Sequence, residues 1–207
     1  MKIARSKYAG IIACAAGGFP NGDGPLHERI SEVKQAIEDG ADEIDIVLDF
    51  DALMDGDRNK VATDLAQMRQ ACGDNIMKVI LETPELDLSY VELAAKLALE
   101  FGADFIKTST GKESQNATLP VSLVMLRMIR DYHQKTGHRV GFKPAGGIRT
   151  EKQALECQIL MNEELGREWL EPELFRFGAS GLLTDIERQL EHFVTGRYSA
   201  AYRQPMG

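Results

Sequence analysis

Two lysines stand where apolar, strand-like runs end. Lys107 closes the run in Phe105-Ile106-Lys107-Thr108-Ser109-Thr110-Gly111-Lys112, and Lys143 does so in Val140-Gly141-Phe142-Lys143-Pro144-Ala145-Gly146-Gly147-Ile148-Arg149-Thr150. An ammonium ion is costly to bury without a partner. One such lysine reads equally well as a side chain snorkelling to the rim of a sheet. Two on separate strands that share a cleft disfavour each other's charge. With partial burial, this moves an amine down from its reference of about 10.4 towards neutrality, and a drop of about 3 units corresponds to roughly 4 kcal/mol. A neutral amine can attack a carbonyl and form a Schiff base. The alternative is a pair of rim lysines that contact phosphate as point charges. Asp45, within Glu43-Ile44-Asp45-Ile46-Val47, is an acid inside a third apolar run. It could neutralise a neighbouring lysine or move protons, or form a buried ion pair of purely structural use. Its neighbours Asp42 and Glu43 are expected at an exposed strand entrance.

Glycine-rich turns follow several of these runs: Thr110-Gly111-Lys112, Ala145-Gly146-Gly147 and Phe177-Gly178-Ala179-Ser180-Gly181. Glycine lets backbone approach an anion closely, and the N–H groups of a following helix can hold it. Each turn alone could be only a tight turn. Clustered on late strands they occupy the usual phosphate position of a barrel, where Lys112 and Arg149 would add local positive charge. His27, His133, His138 and His192 show no metal-ligand spacing and are expected at helix surfaces. Trp169, Cys72 and Cys157 are expected to pack, and Cys14 to pack unless exposed.

These residues need a frame. Runs at 10–16, 43–48, 76–82, 103–109, 139–144 and 174–180 read as buried strands. Between them lie helical spacings such as Val61, Leu65, Met68 and Cys72, or Val121, Val124, Met125, Met128 and Ile129. Gly40, Gly102 and Gly137 fall where helices would end, each just before a strand. Strand and helix alternate about every 30 residues, as in βα units with parallel strands. Six units are countable, and periodicity alone leaves a doubly wound sheet and a barrel both open. At 207 residues, the chain is expected to be one domain over 1–207, with a C-terminal tail over 196–207. Apolar residues make up 43% and charged residues 27%, as in ordinary globular proteins. A net charge of −8 argues against nucleic-acid or anionic-membrane partners. Three dispersed cysteines without a CxxC pair suggest reduced thiols and a cytoplasmic location. No apolar run is long enough for a signal peptide core or a membrane span.

FIKTSTGK and VGFKPAGGIRT, with ADEIDIV upstream and FRFGAS downstream, closely resemble the deoxyribose-phosphate aldolase family, class I aldolases of the TIM-barrel type. The likeness runs in order from about Gly10 to about Leu183. It implies a TIM (β/α)8-type barrel and reversible cleavage of 2-deoxy-D-ribose 5-phosphate to D-glyceraldehyde 3-phosphate and acetaldehyde, with no metal or other cofactor. It matches Lys107 to the Schiff-base lysine, Lys143 to the lysine that perturbs it and Asp45 to the acid of the proton relay. It places Gly111, Lys112, Gly146, Gly147, Gly178 and Ser180 on the phosphate turns. The expected partner is a small sugar phosphate, with a homo-oligomer possible in principle. The strand bearing Lys107 is usually the family's sixth, whereas here it is the fourth countable one. The barrel is therefore expected to be incomplete at its N-terminus, with Met1 a mis-chosen start or oligomerisation covering the gap. A second expectation is a catalytically silent barrel that binds sugar phosphates and needs a partner chain to fold. Tyr198 and Tyr202 lie in a tail that does not end in the family's tyrosine, so neither is given a site role.

Overall fold

A computed structural model describes residues 2–112 and 117–199. Five strands form one parallel sheet in chain order: β1 (Ala13–Ala15), β2 (Glu43–Val47), β3 (Ile76–Ile80), β4 (Phe105–Lys107) and β5 (Gly141–Lys143). Helix α1 (Lys2–Lys7) precedes β1, and α2 (Leu26–Glu38) follows it. Then α3 (Phe50–Met54) and α4 (Arg58–Cys72) follow β2, α5 (Leu88–Glu100) follows β3, α6 (Leu119–Thr136) follows β4, and α7 (Glu151–Leu165) and α8 (Leu182–Thr195) follow β5. A doubly wound sheet would reverse its strand order at a switch point, whereas a barrel wall adds each strand beside the last. The order here is that of a barrel. Among the described residues, no helix is long and apolar enough to cross a membrane.

Register sorts the side chains. Asp45 lies opposite Lys78, Lys78 opposite Phe105, and Lys107 opposite both Ile80 and Lys143, so these residues share the inner face. The alternate residues Ile44, Ile46, Met77, Val79, Ile106 and Phe142 face outward into the apolar core. That core is completed by stripes from the packed helices, such as Val61, Leu65, Met68 and Cys72 of α4 or Met125, Leu126 and Ile129 of α6. The expected helix ends also hold: Gly40, Gly102 and Gly137 all have positive φ. Cys72 and Cys157 are buried and unpaired, and burial pushes both thiols up to about 11. Trp169 is buried and donates its Nε1–H to the Val140 carbonyl at 3.1 Å.

The run expected as a sixth strand, 174–180, reduces to two bridges, Phe142 with Phe175 and Ala145 with Gly178. Its backbone still follows β5: Phe142 N–H donates to Leu174, Arg176 N–H to Phe142 and Gly178 N–H to Pro144. The missing rung falls at Pro144, which has no N–H to donate, so a parallel ladder is interrupted there. On the far side, β1 pairs only with β2 among the described residues, and Ala13 and Ala15 are exposed. The outer face of α8 exposes Leu183, Leu190, Phe193 and Val194, the last two by 88% and 80%. Helix α8 ends against Gly196 at φ 73°, where the expected tail begins, and Tyr202 lies outside the described residues.

Close approach across the inner face needs Gly141. A Cβ there would come within 2.3 Å of the Phe105 ring. Gly141→Ala is therefore expected to destabilise the chain by about 1–3 kcal/mol through overpacking, read as a lower urea midpoint with an unchanged slope.

Candidate active site

The inner face carries charge where the outer face is apolar. At its centre the buried Asp45 carboxylate accepts hydrogen bonds from three ammonium groups: Lys78 Nζ to Oδ1 at 2.9 Å, Lys107 Nζ to Oδ2 at 3.0 Å and Lys143 Nζ to Oδ2 at 2.6 Å. Burial alone pushes this carboxyl up. The ammonium charges of Lys107, Lys78 and Lys143, with the Lys143 hydrogen bond, outweigh it and hold the group well below the usual carboxylate range. Lys143 moves the other way. Burial lowers its affinity for a proton, Asp45 opposes this, and the charges of Lys107 and Lys78 add to the lowering, so the amine sits below the ordinary lysine value. Two amines within 3.0 Å of one carboxylate oxygen can act as nucleophile and proton carrier, with the carboxylate steadying whichever ammonium forms.

The three residues expected here, Lys107, Lys143 and Asp45, are thus brought together. The expectation for Glu43 is corrected. It opens β2 but is only 1% exposed, because odd positions of that strand face inward. Its carboxylate pairs with Lys78 Nζ at 2.6 Å and Arg176 Nη2 at 3.1 Å. Asp42 is exposed as expected, where it pairs with Arg5 and accepts from Ile12 N–H at 2.7 Å. Lys78 and Arg176 escaped the sequence reading. Lys78 lies mid-run in Ile-Met-Lys-Val-Ile, and a charge amid apolar residues was the signal that could have found it. Arg176, between Phe175 and Phe177, carries the same signal.

The strand ends are fixed by hydroxyls of the Lys-Thr-Ser sequence. Thr108 and Ser109, both fully buried, donate to the Ala145 carbonyl at 2.8 Å, and Ala145 N–H donates to Thr108 Oγ1 at 2.9 Å. This links the chain after Lys107 to the chain after Lys143. Glu82 has left-handed backbone at φ 53° and turns its carboxylate to accept Thr110 N–H at 3.1 Å. Arg29 of α2, itself buried, donates to the carbonyls of Gly17 and Val47 and pairs with Asp64, tying the ends of β1 and β2.

Beside the lysines, a cavity of about 470 Å³ is lined by Thr110, Gly111, Gly146, Gly147, Arg149 and Ser180, among others including Gly178. It opens at the N-terminal end of α8, whose first residue is Leu182. Gly146 and Gly147 adopt φ 88° and 84°, which favours glycine, and a Cβ on Gly178 would meet the Ala145 Cβ at 2.5 Å. Backbone N–H groups, a helix start and one guanidinium suit a phosphate. Five of the six residues expected there line the cavity. Lys112 does not: beyond the Gly111 turn it lines a separate hollow with Glu82 and Phe50, its Nζ 5.8 Å from the Phe19 ring. Among the described residues, no group of three or more His, Cys, Asp or Glu side chains is placed to hold a metal.

Removing the shared anion gives a pH-dependent loss of stability. Asp45→Asn removes the anion that opposes the lowering of Lys143, so that amine falls further below the unfolded value of about 10.4. The unfolded chain then binds more protons between the folded and unfolded values, and stability rises with pH across that window. The variant is expected to lose about 3–5 kcal/mol at about pH 6 and to regain part of it at about pH 9, measured by urea unfolding at both.

Comparison with known proteins finds relatives of the whole chain. Residues 7–180 match the model of the "DeoC/LacD family aldolase". Deoxyribose-phosphate aldolase from Homo sapiens is 53% identical over 94% of this chain, and the chain spans only 62% of that protein's length. Among solved structures, that of QR15, an aldolase, superposes with a TM-score of 0.71 at 30% identity over 94% of this chain and 80% of its own. The tetrameric deoxyribose phosphate aldolase from Aeropyrum pernix shares the fold with a TM-score of 0.69 at 23% identity, over 95% of this chain and 73% of its own.

Proposed function

The chain belongs to the DeoC/LacD aldolase family, and we propose that it is a carbon–carbon lyase that cleaves 2-deoxy-D-ribose 5-phosphate to D-glyceraldehyde 3-phosphate and acetaldehyde through a lysine Schiff base. The observation that carries this reading is the shared Asp45 oxygen, with Lys107 and Lys143 both within hydrogen-bond distance beside a glycine-lined anion cavity. The geometry treats the two lysines almost alike, and the resemblance of the run ending in Lys107 to the family's motif supports Lys107 as the nucleophile.

In this reading, neutral Lys107 adds to C1 of the open-chain aldehyde, and the carbinolamine loses water to give an iminium. The C3 hydroxyl then gives up its proton, the C2–C3 bond breaks, and its electron pair forms the enamine as the phosphorylated aldehyde leaves. Protonation at C2 and hydrolysis release acetaldehyde and restore the amine. A carboxylate stabilised by three cations is a weak base. Within the relay, Lys143 therefore carries the proton and Asp45 steadies the ammonium, 2.6 Å away. The 5-phosphate is bound by the turns at Gly111, Gly146, Gly147, Gly178 and Ser180 with Arg149. Lys112 would reach it only by leaving Phe19. No metal or other cofactor enters this scheme, and the unpaired thiols fit a cytoplasmic setting.

A second reading rests on the exposed β1 edge and the bare face of α8: a silent barrel that binds sugar phosphates and needs another chain to fold. A homo-oligomer would satisfy the same surfaces. Acetaldehyde release by a monodisperse species, measured alongside its size, excludes the silent reading.

Borohydride with substrate is expected to add one reduced adduct, mapped by peptide mass to Lys107, and Lys107→Ala is expected to abolish it. An adduct that persists in Lys107→Ala overturns the nucleophile assignment. Arg149→Met is expected to raise KM for the phosphorylated sugar by about tenfold, the effect of about 1.4 kcal/mol, with kcat and turnover of unphosphorylated deoxyribose little changed.

A further inference from the structure

We propose that Lys78 is a positioning residue for the two site lysines, held in place by Glu43 and Arg176. The inference rests on the Schiff-base reading above and extends it to residues that touch no substrate. Lys78 is 1% exposed, and its Nζ lies 2.6 Å from Glu43 Oε2 and 2.9 Å from Asp45 Oδ1. Arg176 reaches the other oxygen of Glu43 at 3.1 Å, and both cations lie within about 6 Å of the Phe105 ring, at 6.0 and 5.8 Å. The inner face thus holds a line of alternating charge: Arg176, Glu43, Lys78, Asp45, and then Lys107 with Lys143.

That order does two things. By occupying Oδ1, Lys78 leaves a single oxygen of Asp45 to the site lysines, which places both amines about one point. It also settles the charge balance. Arg176 and Lys78 already match Glu43 and Asp45, so Lys107 and Lys143 are buried with no countercharge of their own. A buried amine without net countercharge favours its neutral, nucleophilic form. The charged groups bearing on these two amines are Asp45 and Glu43 from β2, Lys78 from β3, each other from β4 and β5, and Arg176 from 174–178. Cys14 of β1 also feels the Asp45 charge.

The test follows borohydride trapping of acetaldehyde by the full chain as a function of pH, with the adduct quantified at Lys107. Losing a cation raises the amine, so Lys78→Met is expected to move the acid limb about one unit higher, a tenfold loss of trapping on that limb. Losing an anion does the reverse, so Glu43→Gln is expected to move the limb lower. Arg176→Met is expected to move it higher, and Lys78→Arg to hold the wild-type position. A purely structural role would lower trapping at every pH and leave the limbs in place; that result overturns the proposal. If Lys78→Met fails to fold by circular dichroism, the near-isosteric Glu43→Gln decides: a limb that stays or rises overturns the proposal. A wild-type chain that gives no adduct at any pH removes the Schiff-base reading itself, and this proposal with it.

Discussion

One carboxylate shared by three buried amines is the constraint on which the rest of the structure depends. Burying several charges is tolerable only when each finds a partner and the geometry around them is held. Here every strand from β2 to β5 contributes to that geometry. Asp45, Lys78, Lys107 and Lys143 sit on adjacent strands in matched register, and the residues between them supply the apolar core outside. The packing of helices on the outer face and the electrostatics of the inner face are consequences of a single alternation. The hydroxyl links from Thr108 and Ser109 to Ala145 hold the ends of β4 and β5 together where the two lysines emerge.

Much of this was legible in the chain because the physical contrast is sharp. A charge in an apolar run is expensive unless it is used, and Lys107, Lys143 and Asp45 stand out on that ground. Lys78 gave the same contrast. It occupies a strand middle, as Asp45 does, away from the strand ends where ligands bind. Glu43 was misplaced because a strand's first residue beside the exposed Asp42 looks like a surface position until register shows which way it faces.

The strands themselves were readable as runs but not as ladders. Pro144 removes one donor, so 174–180 lies beside β5 yet forms only isolated bridges. The glycine-lined cavity was readable from glycine spacing, but the course of the chain beyond Gly111 was not. A glycine at φ 84° can send its neighbour in directions that composition does not specify, and it carries Lys112 towards Phe19 and away from the cavity. The order of the strands was also beyond periodicity, since it is a property of tertiary contacts.

The strict two-residue phase of the strands bears on how such a chain can change over time. Inserting or deleting one residue within β2 or β3 would exchange the two faces, turning Ile44 or Val79 into the bore and a carboxylate or ammonium against the helices. The same event in 17–25, which joins β1 to α2, alters no face at all. Length variation is therefore tolerable in the connections and nearly forbidden in the strands. The inner-face charges are inherited as a block whose spacing can be kept or lost but hardly adjusted.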